Sequence, residues 1–428
     1  MRTTLLLTFI NLFIVNAFSA TAKEKTLVYD NVTYEDYIRT VQLYPALGYA
    51  QDEVQPAAIS VNGSTPLILE FDDIAEDYEY YYARLIHCNA DWTKSAFYDI
   101  DFLSVYNEFA ITTYDFSFQT RVPYVHYTFQ LPRVKISGNY LLVVYRNQDQ
   151  KDLILSRRFM VYENTASISM DVGMSDMVIQ RLNSQQVEFQ VNYTKLDVIN
   201  PLEQFKVVMR KNQNWNATIT DLQPTMVREA LREIEYRHFN AENNFAAGNE
   251  YRFFDIRTVN FNGQGVESTQ MAKDYVLAYL RPDKPRTGLG YVQYSELNGN
   301  FVINNLDRGA GLGDNESEYV FVHFTLEANT PYPGDVYVQG AFNSFRLEPL
   351  NKMIYDEAQR VYRAEIELKQ GVYNYQYYLQ SETMEPLHIE GSHNQTENTY
   401  EVMAYFRDIG ARGDRLIGYQ LVLHNNRR

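Results

Sequence analysis

The chain has 428 residues, of which 54 are acidic and 38 are basic, and its net charge is −16 with histidine neutral. A chain this acidic is repelled by phosphate backbones and by anionic lipid surfaces, which argues against nucleic acid or a membrane surface as its partner. With 45% hydrophobic and 21% charged residues it has the composition of a folded protein. Its length predicts about three domains.

The first part of the chain, residues 1–22, predicts a secretory signal peptide. Arg2 precedes an apolar stretch over 5–15, and residues 20–22 (Ala-Thr-Ala) supply a cleavage site with small side chains. The alternative is an uncleaved anchor, but the apolar stretch is short and is interrupted by Asn11. No later segment reaches the ~18 continuous apolar residues of a membrane helix. We therefore predict an exported mature protein without a membrane span.

Short alternating segments separated by Gly, Pro, Asn and Asp predict strands along the whole mature chain. The 36 Tyr and 24 Phe add to this signal, because aromatic side chains favour pleated, half-buried surfaces. The predicted strands are 80–88, 114–120, 124–131, 139–146, 153–162, 186–193, 204–211, 250–260, 274–280, 301–304, 319–327, 334–340, 361–368, 372–380 and 399–406. Their lengths and spacing predict an all-β fold of about three consecutive immunoglobulin-like sandwiches.

Two stretches predict the domain boundaries. A polar stretch over 163–167 follows a strand, and 281–286 carries two prolines and four charges, which is typical of a stiff, exposed linker. The predicted domains are therefore 23–163, 164–283 and 284–428. Within the middle domain, 225–234 is predicted to be helical, because it follows Pro224 and carries apolar residues at helical spacing.

Residues that could support catalysis are scattered along the chain. The only cysteine, Cys88, allows no disulfide within the chain and no multi-cysteine metal site. We interpret His87 beside it as a sheet residue with satisfied hydrogen bonds, and not as half of a catalytic pair. The seven histidines form no metalloprotease or hydrolase motif, so the sequence predicts no enzyme, no catalytic residue and no cofactor.

Two clusters leave metal binding open as an alternative. His388 and His393 flank Gly391 and could meet a metal in a loop, but a solvated turn is the favoured interpretation. The acidic run 72–79 could offer oxygen ligands to calcium. It lacks the regular spacing of a calcium-binding loop, so we predict an exposed loop between strands.

A pattern in the third domain resembles a known sandwich module. Residues 335–345 (DVYVQGAFNSF) and 371–377 (GVYNYQY) are similar to the early-set immunoglobulin-like fold of glycogen-binding modules. The resemblance implies a periplasmic glycan-binding protein as the alternative function, with Phe345 standing where the module has a tryptophan. Three tyrosines share one strand face by their spacing and either pack on the core or form a sticky outer face; they are Tyr373, Tyr375 and Tyr377.

A second resemblance extends over nearly the whole mature chain. The stretches 81–92, 101–108, 137–145, 157–162 and 248–255 are similar to the plug-protein family of the Bacteroidota type IX secretion system. The resemblance implies a periplasmic protein at the inner side of the outer membrane, which closes the pore of the large outer-membrane β-barrel translocon by reversible protein–protein binding. The residues that contact the translocon, the trigger for release and the oligomeric state stay open.

Most of these shared motifs also have structural interpretations. We expect Trp92 and Phe159 to supply core area, and Gly138 to make a tight turn into the strand that follows it. Asn89 and Asp91 can bond to nearby backbone groups at a bend. The arginines predicted to form ion pairs between strands or domains are Arg84, Arg157, Arg158 and Arg252.

Overall fold

A computed structural model describes residues 25–308 and 315–426, so the predicted signal peptide lies outside the described residues. This part of the chain consists almost entirely of strands and turns, which confirms the predicted all-β class. The strands form six sheets that pack in pairs as three sandwiches. Each sandwich encloses its own hydrophobic core.

The first sandwich packs a six-stranded sheet against a four-stranded sheet. Its strands are β1 (Val32–Thr33), β2 (Ile38–Pro45), β3 (Ala58–Ser60), β4 (Leu67–Asp73), β5 (Tyr81–Cys88), β6 (Phe109–Ile111), β7 (Thr113–Phe116), β8 (Val125–Gln130), β9 (Gly138–Arg146) and β10 (Leu153–Tyr162), and helix α1 is Asp99–Phe102. The larger sheet has the order β1-β10-β9-β5-β6 with β3 paired to β10, and the smaller sheet has the order β2-β4-β8-β7.

The second sandwich begins with seven strands from the middle of the chain. They are β11 (Ser167–Met174), β12 (Ser184–Asn192), β13 (Phe205–Lys211), β14 (Asn214–Ile219), β15 (Met226–Arg228), β16 (Glu233–Tyr236) and β17 (Asn244–Ala246), and helix α2 is Pro201–Gln204. One sheet has the order β11-β12-β16-β15, with β17 also paired to β12. The strands β13 and β14 belong to the opposing sheet.

The third sandwich follows directly. Its strands are β18 (Arg252–Asp255), β19 (Val266–Met271), β20 (Val276–Leu280), β21 (Phe301–Ile303), β22 (Tyr319–Glu327), β23 (Asp335–Gln339), β24 (Ile354–Asp356), β25 (Val361–Lys369) and β26 (Gly371–Gln380). One sheet has the order β19-β20-β22-β25-β24, and the other joins β18, β21 and β23 to β26.

The last two strands return to the second sandwich. They are β27 (Asn398–Phe406) and β28 (Arg415–His424), and they complete the sheet β14-β13-β27-β28. Seven consecutive register pairs join β13 to β27. The third sandwich is therefore inserted between β17 and β27 of the second.

The strand pairing crosses the boundary predicted at 283. The strands β18, β19 and β20 pair within the third sandwich, although the sequence analysis assigns them to the second domain. The predicted linker 281–286 is bonded to that sandwich, since the backbone N–H of Asp283 donates to the carbonyl of Thr325 at 2.8 Å. Hydrophobic alternation marks a segment as a strand but carries no information about the sheet that receives it.

The helix predicted over 225–234 is wrong. The structure has β15, a single 3-10 turn over Glu229–Leu231 and then β16 in its place. The apolar residues that suggested a helix are not buried together, because Ile234 is fully buried while Leu231 is 58% exposed. Val227 pairs with Ile234 across the hairpin, because tertiary packing outweighs a weak helical propensity.

Candidate functional site

The side chains that could support catalysis are buried and take part in packing and structural hydrogen bonds. The Nδ1 of His87 lies 3.0 Å from the hydroxyl of Ser95, and its Nε2 lies 3.2 Å from the carbonyl of Ser137. Burial lowers the pKa of His87 to about 4 and raises the pKa of the Cys88 thiol to about 12, so both side chains are neutral near pH 7. His87 is thus a sheet residue with bonded ring nitrogens, as predicted.

The acidic run 72–79 is not wholly a loop. Asp72 and Asp73 lie on β4 and are buried, which makes the prediction of an exposed loop wrong for these two residues. No three histidine, cysteine, aspartate or glutamate side chains of the described part of the chain are placed to hold a metal ion. His388 and His393 lie in the turns after β26, against the rings of Tyr332 and Tyr291 respectively.

Asp72 instead anchors the first sandwich to the third. Its carboxylate accepts hydrogen bonds from Lys369 Nζ at 2.7 Å and from the Tyr319 hydroxyl at 2.6 Å, and it lies 2.7 Å from Nδ1 of His126. Burial alone would raise the pKa of Asp72, but the charge of Lys369 and the contact with His126 outweigh burial and hold it below its usual value. The Lys369 ammonium also lies 4.3 Å from the centre of the Tyr124 ring.

A stack of two tryptophans and two arginines joins the first sandwich to the second. Trp92 and Trp215 meet edge to face with ring centres 4.8 Å apart. The guanidinium of Arg158 lies 4.5 Å from the centre of Trp92, and that of Arg210 lies 4.0 Å from Trp215. Glu401 on β27 neutralises Arg210 at 2.6 Å. Trp92 is buried, as predicted, but it packs against another sandwich and not inside its own.

Polar contacts reinforce the same interface. The backbone N–H of Ala90 donates to Asp414 at 3.0 Å, and Arg407 donates to the side chain of Asn89 at 2.8 Å. The hydroxyl of Tyr405 donates to Asn139 at 2.8 Å. Asn89 and Asp91 also bond to Thr93 at the predicted bend. Residues of the stretches 81–92 and 137–145 therefore help to join the first sandwich to the second.

Two of the four arginines predicted to form ion pairs do so in the structure. Arg158 pairs with Asp30 at 3.1 Å, and Arg252 pairs with Asp283 at 2.7 Å and with Glu390 at 3.0 Å. The prediction is wrong for the other two. Arg157 donates to the carbonyl of Val32 and the hydroxyl of Thr33, while Arg84 donates to the amide oxygen of Gln150. Backbone, hydroxyl and amide oxygens take the place of carboxylates around these two guanidinium groups, and Nε of Arg84 stays buried without a hydrogen-bond partner.

The tyrosines of β26 pack in the core of the third sandwich. Tyr373, Tyr375 and Tyr377 are at most 4% exposed, and the hydroxyls of the last two both donate to Asp283 at 2.7 Å. Phe345 is 4% exposed, with its ring centre 6.3 Å from that of Tyr251. Neither the tyrosine face nor Phe345 offers an open ring for stacking on a sugar, which removes the observation behind the glycan-binding alternative.

The most exposed apolar segment is a loop that the sequence analysis did not single out. Val178, Ile179 and Leu182 are 81%, 83% and 76% exposed in the loop over 175–183, hereafter the 175–183 loop. Its base is fixed, because Asn244 donates to the Ser175 hydroxyl at 2.6 Å and to Gln180 at 2.8 Å. The signal in the sequence is a run of apolar residues between β11 and β12 that does not alternate.

Together these features define an all-β body of three sandwiches, in which buried charged and aromatic groups join the first sandwich to the second and to the third. Residues 38–163 match the family model described as "Type 9 secretion system plug protein 1st domain". The chain belongs to the plug-protein family of the type IX secretion system. Membership implies association with that system, and the family is a structural component of secretion.

The chain also has a structural relative that aligns with most of its length. A crystal structure of a hypothetical protein from Parabacteroides merdae is 30% identical, with a TM-score of 0.87, and the alignment covers 93% of this chain and 100% of that chain. No curated protein matches the sequence. Within residues 25–308 and 315–426, no helix has the length and apolar character needed to cross a bilayer.

Proposed function

We propose that this protein is a periplasmic plug, which closes the pore of the outer-membrane translocon of type IX secretion by reversible protein–protein binding. Family membership supports a role in that secretion system. The observation that carries the mechanism is the set of buried contacts between sandwiches, above all Asp72 with Lys369 and the Trp92–Trp215 stack. A body held together in this way fills a wide opening without changing shape, and it requires no chemistry to do so.

The 175–183 loop is our candidate for contact with the translocon. Val178 and Ile179 stand in solvent on a loop with a fixed base, so little conformational entropy is lost when a partner covers them. Reversible closure requires an interface of moderate area, with a small apolar centre and a polar rim. Asp176 and Arg181 lie in the same loop and fit the rim.

Deletion of the gene tests the proposed closure. We expect the outer membrane to become permeable to large polar antibiotics, and the wild-type gene to restore the barrier. Unchanged permeability in the deletion strain would contradict the proposal. Fractionation of the same cells should place the mature chain in the periplasm, associated with the outer membrane.

A paired substitution tests the contact. The double variant Val178→Asp and Ile179→Asp places charge on a surface that is already solvated, so the fold should be kept. We expect at least a ten-fold loss in the amount of outer-membrane barrel that copurifies with the tagged protein. Val292→Asp is the matched control, since Val292 is 68% exposed outside the loop. Equal copurification by both variants would exclude the loop as the contact.

A further inference from the structure

A large cleft separates the second sandwich from the third. Its volume is about 1040 Å³, just above the ~300–1,000 Å³ typical of ligand sites. One wall is the outer face of β23 and β26, where Gln339 and Gln376 are register partners and Tyr378 lies further along. The other wall comes from the β13–β14 hairpin and β17, with Asn214 and Asn216.

The charge of the cleft is opposite to that of the molecule. Its lining holds one carboxylate, Glu385, against the two cations Lys211 and Arg346, although the whole chain carries a net charge of −16. Arg346 is already paired, with Asp30 at 3.2 Å and with Glu348 at 2.7 Å. Lys211 is therefore the cation of the cleft that a ligand can neutralise.

Lys211 is held in place without a counter-ion. Its Nζ donates to the carbonyl oxygens of Ala246 and Ala247 at 2.6 and 3.3 Å, and these contacts aim the ammonium from the end of β13 into the cleft. It forms no ion pair with any residue of the described ranges, and burial is the cause that lowers its pKa to about 8. A partly desolvated ammonium of this kind is stabilised by a carboxylate at hydrogen-bonding distance.

The remaining lining is suited to a peptide backbone. The amide side chains in the cleft are Gln180, Asn183, Asn214, Asn216, Asn244, Gln339 and Gln376. An amide side chain carries donors and an acceptor, as a peptide group does. The amide nitrogens of Asn216 and Gln339 already donate to the carbonyl of Phe345, and that of Asn244 donates within the 175–183 loop. The match to a peptide therefore rests on the other amides of the lining, with Gln376 at its centre. The register between β13 and β14 passes from the pair Lys211–Asn214 directly to the pair Arg210–Thr218, which leaves a bulge at 215–217. Because a bulge interrupts the edge of β14, a peptide cannot add to this edge as a regular extra strand.

We infer that this cleft binds an extended peptide segment that places a carboxylate, either of an acidic side chain or of a C terminus, on Lys211. The amides of both walls bond to the peptide backbone, and Tyr378 packs against a side chain. Gln180 and Asn183 of the 175–183 loop line the cleft, but the inference rests on Lys211 and not on the exposed Val178 and Ile179, so a test at Lys211 is separate from the test of pore closure.

The test selects twelve-residue peptides from a random display library on the purified mature chain, followed by fluorescence anisotropy with the labelled peptides. We expect the selected peptides to share a carboxylate, and Lys211→Met to weaken their binding at least ten-fold. Lys211→Arg should retain most of the affinity. Lys284→Met is the control for lost charge, because Lys284 is 75% exposed and lies outside the cleft lining.

Three results would overturn the inference. They are failure to select any peptide, equal binding by the wild type and Lys211→Met, and occupation of the cleft by a soluble oligosaccharide such as chitotetraose in place of peptides. If Lys211→Met does not fold, protection of Lys211 from an amine-reactive acetylating reagent decides the question in the wild-type protein. A bound peptide should slow acetylation of Lys211 at least five-fold and leave Lys284 unaffected, and equal rates at Lys211 with and without peptide would contradict the inference.

Discussion

Asp72 and Lys369 are both removed from water, and each compensates the other for the hydration that it loses. An isolated ion in such a place costs several kcal/mol, so one partner cannot be removed without consequence. The sequence analysis placed Asp72 in an exposed loop because its neighbours in the chain are also acidic. Its partner is 297 residues away, and no local pattern encodes a contact over that distance.

Lys369→Met should be strongly destabilising. The substitution leaves the buried carboxylate of Asp72 without its ammonium, and the free energy of unfolding should fall by about 3–5 kcal/mol in urea titrations. Lys352→Met is the control, because the Lys352–Asp335 pair is exposed on both sides and should contribute nothing measurable. Equal effects in the two variants would show that the buried pair is not a structural anchor.

Glu296 should make stability depend on pH between about 4.5 and 8. Burial, aided by the nearby charge of Glu250, raises the pKa of Glu296 from 4.5 to about 8. The folded state therefore holds a proton that the unfolded state has released, and stability falls as pH rises from about 4.5 towards 8. Burial lowers the pKa of His87 from 6.5 to about 4, so this histidine changes stability mainly below pH 6.5 and does not interfere with the dependence on Glu296.

Guanidinium unfolding at pH 6.5 and pH 8.5 tests this dependence. The wild type should lose stability between the two values, and Glu296→Gln should lose clearly less, since its amide does not titrate. Lys211, which titrates in the same range, contributes equally to both proteins and cancels in the difference. Identical losses in the two proteins would refute a raised pKa at Glu296.

At the scale of elements, the sequence is informative where a strand is long and buried. The predicted strands 139–146 and 153–162 correspond to β9 and β10, which are buried at almost every position. Such apolar runs are identified as strands by their length, their turn-forming flanks and their β-branched and aromatic residues. The hairpin over 226–236 could not be predicted in this way. Its apolar spacing fits a helix equally well, and only pairing with β12 settles the choice.

A substitution at Gly138 tests how closely the start of β9 packs against its neighbours. It begins β9 with a φ of +148°, and a Cβ atom at this position would lie 2.3 Å from Nε2 of His87 and 3.2 Å from the carbonyl of Asp414. Gly138→Ala should therefore lower stability by more than about 1 kcal/mol in thermal unfolding. Gly173→Ala is the control, since a Cβ there meets nothing within 4 Å. Equal melting temperatures for the two variants would contradict the close packing at Gly138.

At the scale of the whole molecule, the second sandwich is built from two separate parts of the chain, which a division into consecutive domains cannot represent. The resemblance to the plug-protein family was recognisable from the motifs, but the interleaving of the second and third sandwiches was not. Arg210 and Glu401 belong to neighbouring strands of one sheet and are separated by 191 residues. The contact surfaces were equally hidden, because exposure of the 175–183 loop and the lining of the cleft depend on which strands meet.

The interleaving predicts how fragments behave. The fragment 164–283 lacks β27 and β28 and should not fold, as judged by dispersed amide signals in NMR spectra. A fragment in which residues 164–248 are joined by a short Gly-Ser linker to 393–426 should fold, because the N–H of His393 donates to the carbonyl of Gly248 at 2.8 Å. Dispersed spectra from the first fragment, or none from the second, would contradict the observed pairing.

The strands β27 and β28 lie near the C terminus, and their position affects the order in which the second sandwich folds. A chain that emerges from its N terminus exposes the edge of β13 until nearly all of the remaining sequence has followed. Pairing over such a separation is slow, and the waiting edge is prone to wrong association. The second sandwich can therefore be completed only when nearly the whole polypeptide is present, and a chain that ends before β27 leaves one of its two sheets half built.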